Sequence, residues 1–582
     1  MRASTQAPGN RSISDMIIHK KTLSSLVGYL VPLLKRIGFR LRSICVLISL
    51  LLAGSPIQSA ESSEKENADA GAPRLPKLTG LLHNEDCIDF FDNRDFSKGK
   101  AGEMVDRYVD VLAGAGVTVL VCNTSSRRTN YRSKVWEAFW DGFDPNASND
   151  QPFFAAVPKE QRAGYRRVVA NMLATYSEGV DYPARIISRS RHHSISPWIS
   201  LRMNDVHVNG NLDHPIHSDF WRKPEFFRKG HPGYYARALD YAHAEVRAHH
   251  KALIVETLEL YDIDGLELDF MREPYLFSKG KEQEGRLILN EWLRDIRKLI
   301  DDAATGRGHA IKLGVRVPAS PETALGLGLD APTWSKEGLV DLVVVTPRWS
   351  TIDFTIPIAK WRDLLGDRVT LAGGLEVNYQ PYLKIPNRMV TKEEATGAAI
   401  GVLSGGADVV YLFNYFQNKH PHWSPPEYQR MLNAFSSVKE LQKLPRRHAV
   451  TFSDVTIPGE EYPSPLPASG TQLSFDMQLG PAPPATWQGK LMTEVEVPHL
   501  EDTVANIFVN GVAGKLKSNE TLKNGRHFAT YEFPLTALSG KDRDTINKRD
   551  SITIEAVGKD PITVHRVEVS LRPEGSKATT KP

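Results

Sequence analysis

Eight short runs rich in β-branched residues recur between about residues 77 and 440, and helical patterns separate them. The runs read LTGLLHNED, VTVLVCN, SPWISLRMND, DGLELDF, IKLGVRVP, DLVVVTPR, VTLAGGLEVN and ADVVYLFN. Strands that alternate with helices form parallel sheets, and eight such units close into a barrel. The rival fold, a doubly wound sheet, ordinarily carries a glycine-rich phosphate turn after its first strand, and the segment CIDFFDNRDFS has none. The pattern therefore predicts an α/β fold, a (β/α)₈ TIM barrel over residues 77–440.

The helical rhythm stops after residue 440. Residues 450–573 contain short alternating runs between proline and glycine turns, such as GTQLSFDMQL and ITVHRVEVSL. This spacing is typical of a β-sandwich, which we expect as a C-terminal accessory domain. Residues 61–76 lack apolar periodicity and read as a flexible linker, and residues 574–582 as a disordered tail.

The first 60 residues resemble an export signal with an extended basic region. A basic segment, LLKRIGFRLRS, precedes the apolar stretch ICVLISLLLAG and the turn-prone SPIQSA. Eleven apolar residues are too few to cross a bilayer core of about 30 Å. A membrane anchor or a misassigned start are the alternatives. We expect a secreted or periplasmic protein that has no membrane association after signal cleavage.

Two cysteines, Cys87 and Cys122, remain after the signal, which carries Cys45. They fall on neighbouring predicted strands, so either one disulfide or two buried free thiols are compatible with the sequence.

Charge argues against a nucleic-acid partner. The whole chain has a net charge of +3, but residues 1–60 hold eight Lys or Arg and one Asp. The rest carries 64 basic and 68 acidic residues, so nothing favours contact with a phosphate backbone. No glycine cluster forms a nucleotide-binding motif, and we predict no cofactor.

Two long loops follow the second and third predicted strands, at residues 124–158 and 205–234. They contain seven and five aromatic residues, respectively. In a barrel, loops that follow strands surround the active-site face. The aromatic rings would offer stacking surfaces for sugars, or they would simply pack the loops onto the barrel. Histidines in the second loop, as in HPIH, lack the spacing of a metal site, so we predict no metal.

The run DGLELDF carries two carboxylates on one side of a predicted strand. Side chains alternate along a strand, so Leu266, Leu268 and Phe270 share one side and Glu267 and Asp269 the other. Helices cover the outside of a barrel, which must therefore be apolar. The two acids are thus predicted to face the barrel axis, with Asp269 nearer the C-terminal mouth.

The same reasoning brings further polar residues to the mouth. It directs Arg202, Asn204, Arg316, Glu376 and Asn378 inward, whereas the direction of Asn414 is a guess because both sides of its strand are apolar. Residues just after strands complete the predicted ligand-binding set: Asp205, His207, Arg272, Arg348, Trp349 and Tyr379. Buried charges need partners or a ligand, so a structural layer of ion pairs is the alternative to a polar pocket.

The strand-4 segment resembles a signature of glycosyl hydrolase-like family 10 and related barrel glycosidases, D-G-I-x-L-D-Y-x-R-x-P. The matching positions are Asp264, Gly265, Leu266, Leu268, Asp269, Phe270, Arg272 and Pro274, with Leu in place of Ile and Phe in place of Tyr. It is more distantly similar to the chitinase family 18 signature, but Met271 occupies the position of the catalytic Glu there. The resemblance implies a barrel that acts on carbohydrate, and argues against a chitinase mechanism.

The predicted activity is hydrolysis of glycosidic bonds in a poly- or oligosaccharide. Such cleavage requires one protonated acid and one carboxylate nucleophile or base. We favour Glu376 as the nucleophile and Glu267 as the acid/base, with Asp269 tuning Glu267 or taking its role. Two alternatives are a carbohydrate-binding barrel without catalysis and a lyase acting on uronate polymers. The several arginines suggest a uronate or sulfated sugar.

Overall fold

The computed structural model describes residues 75–575 apart from 95, 97–99, 232, 418–420, 497–504 and 539–548. These residues belong to one compact unit, Arg74–Pro582. The predicted export signal lies outside the described residues, as do most of the predicted linker and tail. The proposed domain boundaries at those ends therefore remain predictions.

Eight parallel strands close into a barrel, as predicted, with each strand paired to the next and the last paired to the first. The strands up to the seventh are β1 Leu81–Glu85, β2 Val119–Ser125, β3 Ser196–Arg202, β4 Gly265–Asp269, β5 Lys312–Pro318, β6 Leu342–Thr346 and β7 Thr370–Leu375. A small antiparallel hairpin, β8 Asn378–Tyr379 and β9 Arg388–Met389, precedes the eighth barrel strand, β10 Val409–Phe413.

Helices connect the barrel strands and cover their outer face. They are α1 Asp89–Asn93, α2 Ala101–Gly114, α3 Lys159–Ser177, α4 Tyr182–His192, α5 Ala244–Leu260, α6 Glu282–Arg307, α7 Pro321–Gly326, α8 Ala331–Lys336, α9 Ile358–Leu365, α10 Lys392–Ser404, α11 Pro425–Ala434 and α12 Val438–Leu441. No helix in this part of the chain is long and apolar enough to cross a membrane.

The predicted alternation along β4 is confirmed. Leu266, Leu268 and Phe270 belong to the large apolar core that includes the surrounding helices. A separate apolar cluster fills the lower lumen, where Trp198 is fully buried. Gly265 makes room for that indole, because a Cβ there would lie 2.3 Å from the Trp198 ring. The packed tryptophan closes the barrel floor and leaves the polar residues above it, toward the C-terminal mouth.

The C-terminal part is a β-sandwich, as predicted. One sheet contains β11 Arg446–Ala449, β12 Ala468–Gly470, β14 Trp487–Glu496, β17 Lys515–Thr521, β18 His527–Phe533 and β20 Ile562–Pro573. The other contains β13 Gln472–Met477, β15 Ala505–Val509, β16 Val512–Ala513 and β19 Asp550–Ala556. Buried aliphatic and aromatic residues of both sheets form a second core.

The two cysteines of the described chain are both free and buried. This resolves the choice that the sequence left open in favour of free thiols. Burial raises the pKa of both thiols, which keeps them protonated.

Candidate active site

Glu267 lies inside the barrel, above the tryptophan floor and fully buried. Its Oε1 accepts hydrogen bonds from Ser200 Oγ at 2.8 Å, Tyr411 Oη at 2.9 Å and Asn84 Nδ2 at 3.2 Å. The donors come from β3, β10 and β1, so three strands fix one carboxyl oxygen. The other oxygen, Oε2, is buried and accepts no hydrogen bond from the described residues. Glu267 is therefore held rigidly in a layer below the mouth.

Asp269 and Glu376 meet at one guanidinium group in the next layer up. Arg316 on β5 donates from Nη1 to Asp269 Oδ2 at 2.8 Å and from Nη2 to Glu376 Oε1 at 3.5 Å. Asp269 Oδ1 also accepts the backbone N–H of Met271 at 3.0 Å. The guanidinium lies over the ring of Phe413, 4.3 Å from its centroid. Asp269 of β4 and Glu376, which directly follows β7, are thus brought together, as the alternation along the two predicted strands required.

Burial raises the pKa of two of these carboxyl groups. The pKa of Glu267 rises to about 7, chiefly through desolvation and then through the nearby negative charge of Asp269. The pKa of Glu376 rises to about 8, again chiefly through desolvation, although Arg316 and Arg272 act in the opposite direction. A carboxyl group that keeps its proton at neutral pH is suited to donate it to a leaving group.

Arg202 anchors a second set of acids at the end of β3. It contacts Asp86 Oδ2 at 2.6 Å and donates to Asp205 Oδ2 at 2.8 Å. Asp205 Oδ1 in turn lies 2.8 Å from His207 Nδ1. The side chain of His207 is 40% exposed, whereas Arg202 and Asp205 are buried. The imidazole is the most exposed side chain of this group, and Asp86 is 17% exposed.

The loop after β6 forms another part of the rim. Arg348 contacts the buried carboxylate of Glu273 through Nε. Asp454, from the segment that follows the barrel, accepts the backbone N–H groups of residues 348, 349 and 350 at 2.9, 2.8 and 2.6 Å. This clamp presents Trp349, which is 46% exposed, and the Arg348 guanidinium lies 5.2 Å from the ring centroid of Tyr234, also 46% exposed.

The aromatic residues of the two long loops mostly pack inward. Of the twelve, Tyr234 is exposed to solvent. The other eleven pack the loops onto the barrel, which was the alternative to stacking on a sugar. Seven are buried in the main core and four are partly buried against it: Tyr131, Trp136, Phe139, Trp140, Phe143, Phe154 and Trp221, then Phe153, Phe220, Phe226 and Phe227.

The structure corrects one predicted ligand contact at a strand end and shows the position of a second residue, Asn414. The amide of Asn204 is fully buried and bonds the backbone carbonyls of Leu239 and Tyr275 and the N–H of Leu239. Asn414 directly follows β10 and has a positive φ of 61°, and its Oδ1 accepts the backbone N–H of Asp86 at 2.8 Å. The amide of Asn204 is therefore used by the backbone, whereas Asn414 joins the end of β10 to the end of β1 through its carbonyl oxygen.

One further correction, at Tyr379, concerns the hairpin after β7, where Asn378 stays a predicted ligand-binding residue. Asn378 donates from Nδ2 to the carbonyl of Trp349 at 3.0 Å and thereby holds the rim loop. Tyr379 is buried, and its hydroxyl donates to Glu568 of the sandwich at 2.6 Å. The hairpin turns toward the second domain rather than the mouth, which is why Tyr379 is unavailable for stacking on a ligand.

Sequence reasoning missed several residues of the site. Asp86 is the last residue of the first strand run and Glu273 lies inside the strand-4 motif, so position alone could have found both. Asn84 and Tyr411 both face the lumen. The alternation of polar residues on β1 could have suggested this for Asn84, but β10 is apolar on both sides and gives no such signal for Tyr411. Asp454 reaches the mouth from beyond the barrel, and no local pattern indicates that.

Glu267→Gln is expected to change the pH dependence of stability. The fold holds the Glu267 proton up to about pH 7, whereas an unfolded chain releases it near its ordinary value of 4.5. Wild-type stability should therefore fall as the pH rises from about 4.5 to about 7, by up to about 3 kcal/mol. The amide keeps Oε1 as an acceptor and lacks this loss, so it should gain stability on the wild type between pH 5 and pH 8 in urea denaturation. The surface variant Glu284→Gln should behave like the wild type. Equal pH profiles for Glu267→Gln and the wild type would contradict the burial effect.

Comparison with known proteins gives a likeness to solved glycosidase structures. No protein-family model matches the sequence, and no curated protein matches it either. Alpha-L-fucosidase isoenzyme 2 from Paenibacillus thiaminolyticus matches with 10% identity and a TM-score of 0.36, over 62% of this chain and 49% of the fucosidase. This chain thus spans about half the length of that protein.

Two other solved structures show a similar level of likeness. The PgaB (BpsB) glycoside hydrolase domain from Bordetella bronchiseptica matches with 9% identity and a TM-score of 0.36, over 61% of this chain and 99% of the domain. An alpha-L-fucosidase from Vibrio sp. strain EJY3 matches with 11% identity and a TM-score of 0.33, over 85% and 96%. Likeness at this level identifies no family for the chain, and membership of glycosyl hydrolase-like family 10 stays a prediction.

Proposed function

We propose that the protein is a glycoside hydrolase in which Glu376 donates a proton and Asp269 acts as nucleophile or base. The observation that carries this proposal is the pair of acids from β4 and β7 on one guanidinium at the barrel mouth. Arg316 pairs with Asp269, while burial raises the pKa of Glu376 to about 8. One carboxyl group that keeps its proton and a second carboxylate beside it are what glycosidic cleavage needs.

The roles differ from those that the sequence alone favoured. Glu267 lies one layer deeper, where one of its oxygens accepts three hydrogen bonds, so we assign it a supporting position beneath Asp269. Glu376 protonates the glycosidic oxygen as the bond to the anomeric carbon breaks. In the retaining route Asp269 attacks that carbon and forms a glycosyl ester, which water then hydrolyses while Glu376 takes the proton of that water, so both acids are restored. In the inverting route Asp269 takes a proton from the attacking water, and exchange with solvent removes that proton from Asp269 and returns one to Glu376.

The spacing of the acids sets limits on the stereochemistry. Contacts of 2.8 and 3.5 Å to one guanidinium keep the two carboxyl groups within roughly 9 Å of each other. Carboxyl groups about 5–5.5 Å apart retain anomeric configuration, and groups about 6.5–9.5 Å apart invert it. The shared arginine therefore allows either outcome and excludes a wider pair.

The rim supports a carbohydrate ligand. Trp349 and Tyr234 expose aromatic rings beside Arg348, and such rings bind the apolar faces of sugars while polar groups below bind hydroxyls.

We also propose export to the cell exterior or periplasm, on the basis of the signal-like residues 1–60. N-terminal sequencing of the mature protein, recovered outside the cytoplasm, checks this location.

A second candidate, a lyase acting on uronate polymers, is favoured by one contact. His207 Nδ1 lies 2.8 Å from the Asp205 carboxylate, which orients the imidazole and leaves Nε2 on the exposed side. An oriented histidine at the mouth could remove the proton next to a uronate carboxyl group.

Incubation of the exported protein with a polysaccharide panel tests these proposals. Release of reducing ends without ultraviolet absorbance supports hydrolysis, and their loss in an Asp269→Asn/Glu376→Gln double variant supports the assignment of the acids. New ultraviolet absorbance, abolished by His207→Ala, would instead indicate a lyase. Ligand binding without any cleavage, equal in wild type and double variant, would leave a carbohydrate-binding protein and overturn the enzymatic proposal.

A further inference from the structure

Four arginines reach the mouth from strand ends or the residues that follow them. Three of them have a carboxylate partner within hydrogen-bond reach. The pairs are Arg202 with Asp86 and Asp205, Arg316 with Asp269, and Arg348 with Glu273. The fourth is Arg272, three residues beyond the end of β4.

Arg272 is buried without a polar partner. Only 3% of its surface is exposed, and its Nε is enclosed without a hydrogen bond. Within the described part of the chain, its guanidinium makes no hydrogen bond or ion pair. The guanidinium lies 4.8 Å from the ring centroid of Phe413, and that of Arg316 lies 4.3 Å from the same centroid. Arg272 therefore lies next to the catalytic layer with its donors unused.

A structural role for this guanidinium is weakly supported by its surroundings. Asp86 and Glu376 are close enough for Arg272 to lower the pKa of each, yet neither is within hydrogen-bond reach. Asp86 is already taken by Arg202. Guanidinium donors that are withdrawn from water and lack an acceptor are costly, and their planar fork matches carboxylate and sulfate oxygens.

We propose that Arg272 binds a carboxylate or sulfate group of the substrate, so that the site acts on an acidic saccharide. The identification of the ligand as a saccharide rests on the proposed function. The binding of an anion by Arg272 is a separate property that can be measured without catalysis. The ring of Phe413 supports the guanidinium from one side, and the anion would bind at the edge of the fork. The same chemistry serves a uronate or a sulfate ester, and the two are distinguished by experiment.

Calorimetric titration of the mature protein with sodium glucuronate and sodium sulfate, at constant ionic strength, tests the proposal. Saturable binding of either probe is expected, and the stronger probe identifies the anionic group. Arg272→Met should weaken binding by about 10–100-fold, since charged hydrogen bonds are lost. Arg272→Lys, which keeps the charge without the fork, should recover part of the affinity. The surface variant Arg185→Met should bind like the wild type.

Equal melting temperatures of Arg272→Met and the wild type would show that any loss of binding does not come from unfolding. If Arg272→Met does not fold, the comparison is made with Arg272→Lys alone. Absence of saturable binding to both probes, or binding unchanged in the folded variant, overturns the proposal. Cleavage of neutral saccharides by a fully active Arg272→Met enzyme would also overturn it and leave the hydrolase intact. Anion binding that depends on Arg272 without cleavage of any saccharide would preserve this inference and refute the hydrolase.

Discussion

Replacing Glu376 by glutamine is expected to lower kcat on a natural polysaccharide by about 10²–10⁴-fold, the range typical of a lost general acid. Burial raises the pKa of this carboxyl to about 8, so it carries a proton at neutral pH and can give it to the leaving oxygen. An amide of the same shape cannot. The comparison is made from initial rates of reducing-end release, with Glu284→Gln on the surface as the control.

The leaving group separates the acid from the nucleophile. An aryl glycoside with a very acidic phenol loses its leaving group without protonation, so Glu376→Gln should keep nearly the wild-type kcat/KM on it, a value that reports the bond-breaking step. Asp269→Asn should lose activity on both kinds of substrate, because bond formation or water activation fails in each. An equal loss by Glu376→Gln on both substrates would instead make Glu376 the nucleophile, as the sequence alone favoured.

The pH profile gives an independent measure of the same role. In the wild type, kcat/KM should fall on the alkaline side near pH 8, as Glu376 loses its proton in the free enzyme. The residual activity of Glu376→Gln should lack this alkaline limb. A limb that survives in the variant would assign the titration to another group.

The barrel and its inward-facing acids could be predicted because one physical constraint governs them. The outer face of each strand must be apolar under its helix, so alternation alone directs Glu267, Asp269 and Glu376 inward. The same test failed on β10, where both sides are apolar. There, Tyr411 and Phe413 face the lumen, and Asn414 lies beyond the end of the strand.

The chemistry of the site depends on contacts that no local pattern reveals. The rim loop is fixed by Asp454, about a hundred residues away along the chain. Tyr379 faces the sandwich because Glu568 accepts its hydroxyl, a contact across 189 residues. The pKa of Glu376 is raised because the side chain is buried, and this burial exists only in the assembled barrel. Sequence could therefore locate the acids but not assign their roles.

Replacing Arg316 by methionine is expected to destabilise the fold by about 3–5 kcal/mol, the usual effect of removing one partner of a buried ion pair. Arg316 is fully buried, and Asp269 is its closest partner at 2.8 Å. Methionine fills much of the volume but leaves the carboxylate without its countercharge. The free energy of unfolding is measured by urea denaturation at pH 7, and a change below 1 kcal/mol would contradict this account.

A surface pair and a compensating change make the reason for the loss testable. Arg185 binds Asp106 through two nitrogens, but its side chain is 48% exposed, so Arg185→Met should cost less than about 1 kcal/mol. Adding Asp269→Asn to Arg316→Met removes the unpaired charge and should restore much of the lost stability. If the double variant is as unstable as Arg316→Met, the loss comes from packing against Phe413, and the arginine would act mainly as a spacer between the two acids. If stability returns, the loss in Arg316→Met came from the unpaired charge of Asp269, and Arg316 is the group that stabilises the carboxylate on which the proposed hydrolysis depends.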